Sequence, residues 1–150
     1  MLSFAFMEAI KILLVEDNEG DILLTKEAFK ECKVLNTIEV IRDGEAAFDY
    51  LSKRDAYTHA TRPDLIILDV NLPKKNGHEV LQHVKQDEHL KSIPVIMLTT
   101  SSSQSDIDRA YNNHVNCYIT KPLEVSDFIE AVCKIENFWI NIVQLPTNQP

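Results

Sequence analysis

Apolar positions along the chain change period again and again. Ile10-Lys-Ile-Leu-Leu-Val15 is nearly continuous in apolar side chains and ends in acids, the pattern of a strand buried on both faces. Over residues 20–32, Leu23, Leu24, Ala28 and Phe29 are spaced as one side of a helix. Thr37–Arg42 is a short, more polar run that suits the edge of a sheet. Gly44–Leu51 predicts a helix with Ala47, Phe48 and Leu51 inward, and Asp64-Leu-Ile-Ile-Leu-Asp69 a second buried strand. His78–Lys85 is helical, with Val80, Leu81 and Val84 on one stripe. Pro94–Thr99 is a third buried strand, Ser105–Asn112 a helix carrying Ile107, Ala110 and Tyr111, and Asn116–Thr120 a short strand. The last helix starts near Val125 and turns Val125, Phe128, Ile129 and Val132 inward.

Strand and helix alternate through five units with no linker or low-complexity tract between them. Strict alternation implies a parallel sheet covered by helices on both faces. Right-handed crossovers make it a doubly wound (βα)5 three-layer α/β sandwich. Ligands of such folds sit at the carboxyl ends of the strands, so the chemistry is to be sought there.

Composition narrows the field. The chain has 150 residues, enough for one ordinary domain that needs no disulfide or metal to fold. Its three glycines, Gly20, Gly44 and Gly77, cannot spell a Gly-rich phosphate loop. Lys and Arg number 15 against 23 Asp and Glu, a net charge of −8 that argues against nucleic acid and against an anionic membrane surface. Cys32, Cys117 and Cys133 form no CxxC pair, which predicts reduced, buried thiols in a cytoplasmic protein. The apolar start Met1–Met7 lacks the basic residues of a signal peptide, and no apolar run reaches the length of a membrane span. The five histidines form no HxH or HxxxH pair and are expected at the surface.

Four of the five strand ends carry chemistry. Strand one ends in Glu16-Asp17, strand three in Asp69 followed by Asn71, strand four in Thr99, and strand five in Tyr118-Ile-Thr-Lys121-Pro122. Each alone reads as a cap or a solvated turn. Together they bring three carboxylates, a hydroxyl and an ammonium to one rim. Carboxylates that close repel one another, and a hard divalent cation with oxygen ligands, Mg²⁺ above all, resolves the conflict. A carboxylate beside such a cation and an ammonium is a good nucleophile toward phosphorus.

With Glu16-Asp17, Asp69, Asn71, Pro73, Gly77, Thr99, Tyr118 and Lys121-Pro122, the chain resembles the receiver domain of two-component response regulators over about residues 10–138. The stretches Leu14–Asn18, Asp69–Pro73, Asn116–Pro122, Ile135–Trp139 and Val143–Pro146 are more narrowly similar to the stand-alone regulators that partner cyanobacterial phytochromes. The resemblance implies a flavodoxin-like fold with strand order 2-1-3-4-5. It implies Asp69 as acceptor of a phosphoryl group from a sensor histidine kinase, a phytochrome in the narrower match. Mg²⁺, with Mn²⁺ as a substitute, would be held by the carboxylates of Asp17 and Asp69, the Asn71 backbone carbonyl and, through water, Glu16. Lys121 would pair with the phosphoryl oxygens, Thr99 would swing toward them, and Tyr118 would turn inward. A cis Lys121–Pro122 bond is expected from the same resemblance. Departures are Glu16 where Asp is commoner, Thr100 where a small residue is frequent, and a long Lys53–Arg62 stretch, expected to be a mobile surface loop or part of a kinase contact.

Two other readings compete. A phosphatase working through an aspartyl phosphate needs a second Asp two residues after the nucleophile, and Asn71 cannot transfer a proton. A phosphorylation-independent binding module would be marked by loss of Asp69 or Lys121, and both are present. The expected organisation is an N-terminal tail (1–9), a receiver (10–138) and a C-terminal tail (139–150), with no output domain. Phe128, Val132, Ile135, Trp139 and Ile142 continue a helical stripe past the receiver core. That surplus of apolar surface predicts a homodimer through the fourth helix, fifth strand and fifth helix, with Phe138 and Trp139 near the contact.

Overall fold

The computed structural model describes residues 9–31, 35–136 and 138. Its strands are β1 (Ile10–Val15), β2 (Asn36–Ile41), β3 (Leu65–Leu68), β4 (Val95–Thr99) and β5 (Cys117–Thr120). Its α-helices are α1 (Glu19–Glu31), α2 (Gly44–Leu51), α3 (Gly77–Gln86), α4 (Gln104–Asn112) and α5 (Val125–Glu136). All strands are parallel, in the order β2-β1-β3-β4-β5, as expected. The chain reverses its direction of travel across the sheet after β2, so β1 and β3 lie side by side at the switch point. Register pairs Val15 with Leu68 and Leu68 with Met97, which delivers Glu16, Asp69 and the end of β4 to the same rim.

Period-two alternation sorts each central strand between two cores. Leu13, Val15, Ile66, Leu68, Val95 and Met97 pack against Ala47, Tyr50 and Leu51 of α2, Val80, Leu81 and Val84 of α3, and Ala110 of α4. Ile12, Leu14, Leu65, Ile67, Ile96 and Leu98 pack on the other face against Ile22, Ala28 and Phe29 of α1 and Phe128, Val132 and Ile135 of α5. The central strands are therefore apolar throughout because neither face meets water.

Four helices start on side-chain caps supplied by the loops that follow strands. Asn18, Asp43, Asn76 and Ser103 accept the backbone N–H of Asp21, Ala46, Glu79 and Asp106. Such caps satisfy donors that the first helical turn leaves open.

Several expected inward residues face outward instead. Leu23 is exposed because the buried stripe of α1 runs Ile22, Thr25, Ala28, Phe29, a rotation of one residue. Val125 is exposed because it opens α5 before the helix meets the sheet, and Tyr111 lies at the rim, its hydroxyl accepting the Tyr118 N–H. The Lys53–Arg62 stretch is anchored rather than loose. It holds a 3₁₀ turn at Asp55–Tyr57, Tyr57 packs edge-on against Tyr50, and Arg62 donates to the His89 carbonyl and Ser92 Oγ. Cys117 is a free thiol, but Cys133 is disulfide-bonded, which corrects the expectation of three reduced thiols. Cys133 lies on the side of α5 facing α1, its sulfur 3.8 Å from the Ala28 carbonyl, where side chains of the two helices meet. No helix among the described residues is long and apolar enough to cross a membrane.

Candidate functional site

The rim at the carboxyl ends of β1, β3 and β5 gathers the expected acids and sets one cation against two of them. Glu16, Asp17 and Asp69 each present a carboxylate oxygen, all within 4.8 Å of one another. Glu16 and Asp69 are buried, whereas Asp17 is open to solvent. That set of close oxygen donors, one of them reachable from water, fits a hard divalent cation. Asn71 stands beside it, its N–H donating to Asp69 Oδ1 at 3.3 Å.

Lys121 enters from the end of β5 and is buried itself. Its Nζ donates to Glu16 Oε1 at 2.5 Å, Asp21 Oδ2 at 2.8 Å and Asp69 Oδ2 at 3.3 Å. Asp21 is the member that sequence reasoning missed. It lies on the first turn of α1, four residues past Asp17, and a carboxylate at that spacing faces back toward the strand end. The Lys121–Pro122 bond is trans, contrary to the cis bond expected, since the described residues contain no cis peptide. With its N–H bonded to the Thr99 carbonyl at 2.6 Å, Lys121 already reaches all three acids, so geometry requires no departure from the intrinsically favoured trans form.

Charge imbalance shows in the proton affinities. Burial pushes the Glu16 carboxyl up to about 7; the hydrogen bond from Lys121 opposes this, and the charge of Asp69 adds to it. Burial also works against the Lys121 ammonium, but hydrogen bonds to Asp21 and Glu16 and the charge of Asp69 outweigh it and hold Lys121 above the ordinary lysine range. Both groups therefore hold their protons more tightly than usual, Glu16 chiefly through burial and Lys121 through its carboxylate partners.

Thr99 is fully buried at the end of β4, and its Oγ1 accepts the Ser101 N–H at 3.3 Å. Tyr118 is half-buried on β5, and its hydroxyl donates to the Ser101 carbonyl at 2.8 Å. Thr100 points to solvent. Phe138 is half exposed, while Trp139 lies outside the described residues. His78 departs most from expectation. It is 2 % exposed rather than solvated, because it sits three residues before Leu81 on the buried stripe of α3.

The floor of the site depends on Gly77. A Cβ there would stand 2.1 Å from the Asp69 carbonyl oxygen and 2.8 Å from Val70 Cα, backbone atoms that can yield only by moving Asp69. Overpacking of this kind costs about 3 kcal/mol. Gly77→Ala is therefore expected to lower the unfolding free energy by that amount, seen as a lower denaturant midpoint, and a midpoint equal to that of the wild type would contradict the packing described.

A family model for the response regulator receiver domain matches residues 12–133. Response regulator Rcp1 of Synechocystis sp. is 45% identical over 135 residues, covering 90% of this chain and 92% of that protein. The crystal structure of the phosphorylated cyanobacterial phytochrome response regulator RcpA superposes with a TM-score of 0.91 at 47% identity, over 93% of this chain and 100% of that one. The Mn²⁺-bound form of Rcp1 gives a TM-score of 0.89 at 44% identity, over 92% of this chain and 99% of that one.

Proposed function

Because the chain belongs to the response regulator receiver family, we propose that Asp69 is its phosphoryl acceptor and that a phytochrome-type sensor histidine kinase is the donor. The observation that carries this reading is the clustering of the Asp69, Glu16 and Asp17 carboxylates, with the buried ammonium of Lys121 against Asp69 and Glu16. An Asp69 carboxylate oxygen attacks phosphorus, the P–N bond to the donor histidine breaks, and the electron pair returns to the imidazole. Mg²⁺, or Mn²⁺ in its place, held by Glu16, Asp17, Asp69 and the Asn71 carbonyl, would supply positive charge that lets carboxylate and phosphoryl oxygens approach.

Lys121 moves its hydrogen bonds from the carboxylates onto the incoming phosphoryl oxygens, and the Thr99 hydroxyl turns to the same group. Thr99 Oγ1 then releases the Ser101 N–H, so a charge at Asp69 reaches the β4–α4 loop and Tyr118. Support for the phytochrome donor is the likeness to Rcp1 and RcpA. A panel of purified sensor kinases, a phytochrome among them, tests it: the phytochrome should transfer its phosphoryl group fastest, and transfer from every kinase but that one would defeat the assignment.

The proposal extends to a homodimer through α4, β5 and α5. β5 is a sheet edge, and Phe138 borders a cavity of about 470 Å³ with Cys117, Ile119, Ala131 and Ile135. Each buried aromatic contributes about 1.5–3 kcal/mol to such a contact. Sedimentation at micromolar concentration should show a wild-type dimer and a Phe138→Ala/Trp139→Ala monomer. A wild-type monomer, or a variant that stays dimeric, would refute it.

A further inference from the structure

Among the described residues His78 is a buried imidazole with one ring nitrogen in use and the other, Nδ1, without a hydrogen-bond partner, so the single bond it makes is the polar contact that fixes its ring. His78 Nε2 donates to Asp106 Oδ1 at 2.9 Å, linking the start of α3 to the first turn of α4. The second oxygen of the same carboxylate accepts the Ser101 hydroxyl at 2.5 Å. Ser101 then turns its backbone to the two switch candidates, N–H to Thr99 Oγ1 and carbonyl to the Tyr118 hydroxyl. One unbroken polar chain therefore runs from α3 to both of them.

Position in this region rests on hydrogen bonds rather than on packing. The loop Thr100–Ser103 carries only hydroxyl side chains and has no apolar anchor. Asp106 lies on a solvent-facing turn, where a lone carboxylate would sample several rotamers. Here both its oxygens are engaged, and first the Ser101 hydroxyl, then the His78 ring, hold its carboxyl below the usual range. At the α3 end of the chain His78 is held in the core, 2 % exposed.

We propose that His78 is a positioning residue: through Asp106 and Ser101 it places the β4–α4 loop so that a phosphoryl group on Asp69 is read out at Tyr118. The proposal rests on Asp69 being the phosphoryl acceptor. His78 hydrogen-bonds Asp106 and, among the described residues, none of Asp69, Lys121 or Thr99, so phosphoryl uptake itself does not depend on it.

The full chain is treated with acetyl phosphate and Mg²⁺. Intact mass reads phosphoryl occupancy, and the amide shift of Tyr118 on phosphorylation reads transmission. His78→Leu removes the donor and keeps an apolar body, His78→Gln restores a donor to Asp106, and Ser101→Ala breaks the chain without touching the core. All three should take up the phosphoryl group as the wild type does. The Tyr118 response should shrink roughly twofold or more in His78→Leu and Ser101→Ala, and recover in His78→Gln. A full response in folded His78→Leu, or in Ser101→Ala should His78→Leu not fold, overturns the proposal, as does a His78→Gln response no larger than that of His78→Leu. A wild-type chain that takes up no phosphoryl group overturns the assignment of Asp69 instead, and is told apart by its unchanged mass.

Discussion

Asp69→Asn is expected to take up no phosphoryl group at all, so that acetyl phosphate with Mg²⁺ adds roughly 80 Da to the wild type and nothing to the variant. Asparagine keeps the shape of the side chain and one carbonyl oxygen, but its electron pairs are no match for those of a carboxylate. Neighbouring acids cannot substitute. Glu16 is occupied by Lys121 at 2.5 Å and by the Asn18 N–H at 3.2 Å, and among the described residues no ammonium pairs with Asp17. Misfolding would not account for the loss. Removing one carboxylate relieves the repulsion that helps raise Glu16, and Lys121 keeps both Glu16 and Asp21. In EDTA the variant should melt no lower than the wild type. Labelling that persists at full level in Asp69→Asn would sink the acceptor assignment.

What could be read from the sequence divides along physical lines. Strands β1, β3 and β4 were plain because burial on both faces makes their apolar runs continuous. The acids at Glu16, Asp17 and Asp69 were plain because they end those runs. Helix faces were harder, since a shift of one residue rotates a stripe by about 100°. That shift moved Leu23 outward and Ile22 inward, whereas the α3 stripe Val80, Leu81, Val84 is as expected and His78 joins it as a polar residue type otherwise expected at the surface. Asp21 was missed for another reason. It acts from a neighbouring helix turn, not from a strand end, and only the reach of Lys121 joins it to the cluster. The trans bond at Pro122 and the disulfide at Cys133 depend on backbone course and helix contact, which residue type alone does not encode.

Lys121→Met should have the largest effect on stability. Lys121 is the cation shared by Glu16, Asp21 and Asp69, and the ammonium and the Glu16 carboxylate are nearly dry. Methionine fills the same space without the charge. Removing one partner from a buried pair costs about 3–5 kcal/mol, because the other is left unpaired. For a domain of this size that is a melting temperature lower by roughly 10 °C in EDTA. The pH dependence has a definite sign. Glu16 holds its proton up to about 7, above the ordinary Glu range, and the hydrogen bond from Lys121 is what restrains that rise. Without Lys121 the rise is larger, so the folded variant binds more protons than its unfolded chain over a wider range. Stability then keeps falling with rising pH beyond the point where that of the wild type levels off, and the gap between them should widen from about pH 7 upward. Mg²⁺ should narrow it, since a divalent cation at the carboxylates supplies the missing charge. The variant should still accept a phosphoryl group slowly, while Tyr118 no longer responds. No loss of stability in Lys121→Met, or a gap independent of both pH and Mg²⁺, would mean that the charge of Lys121 is not what holds the carboxylates together.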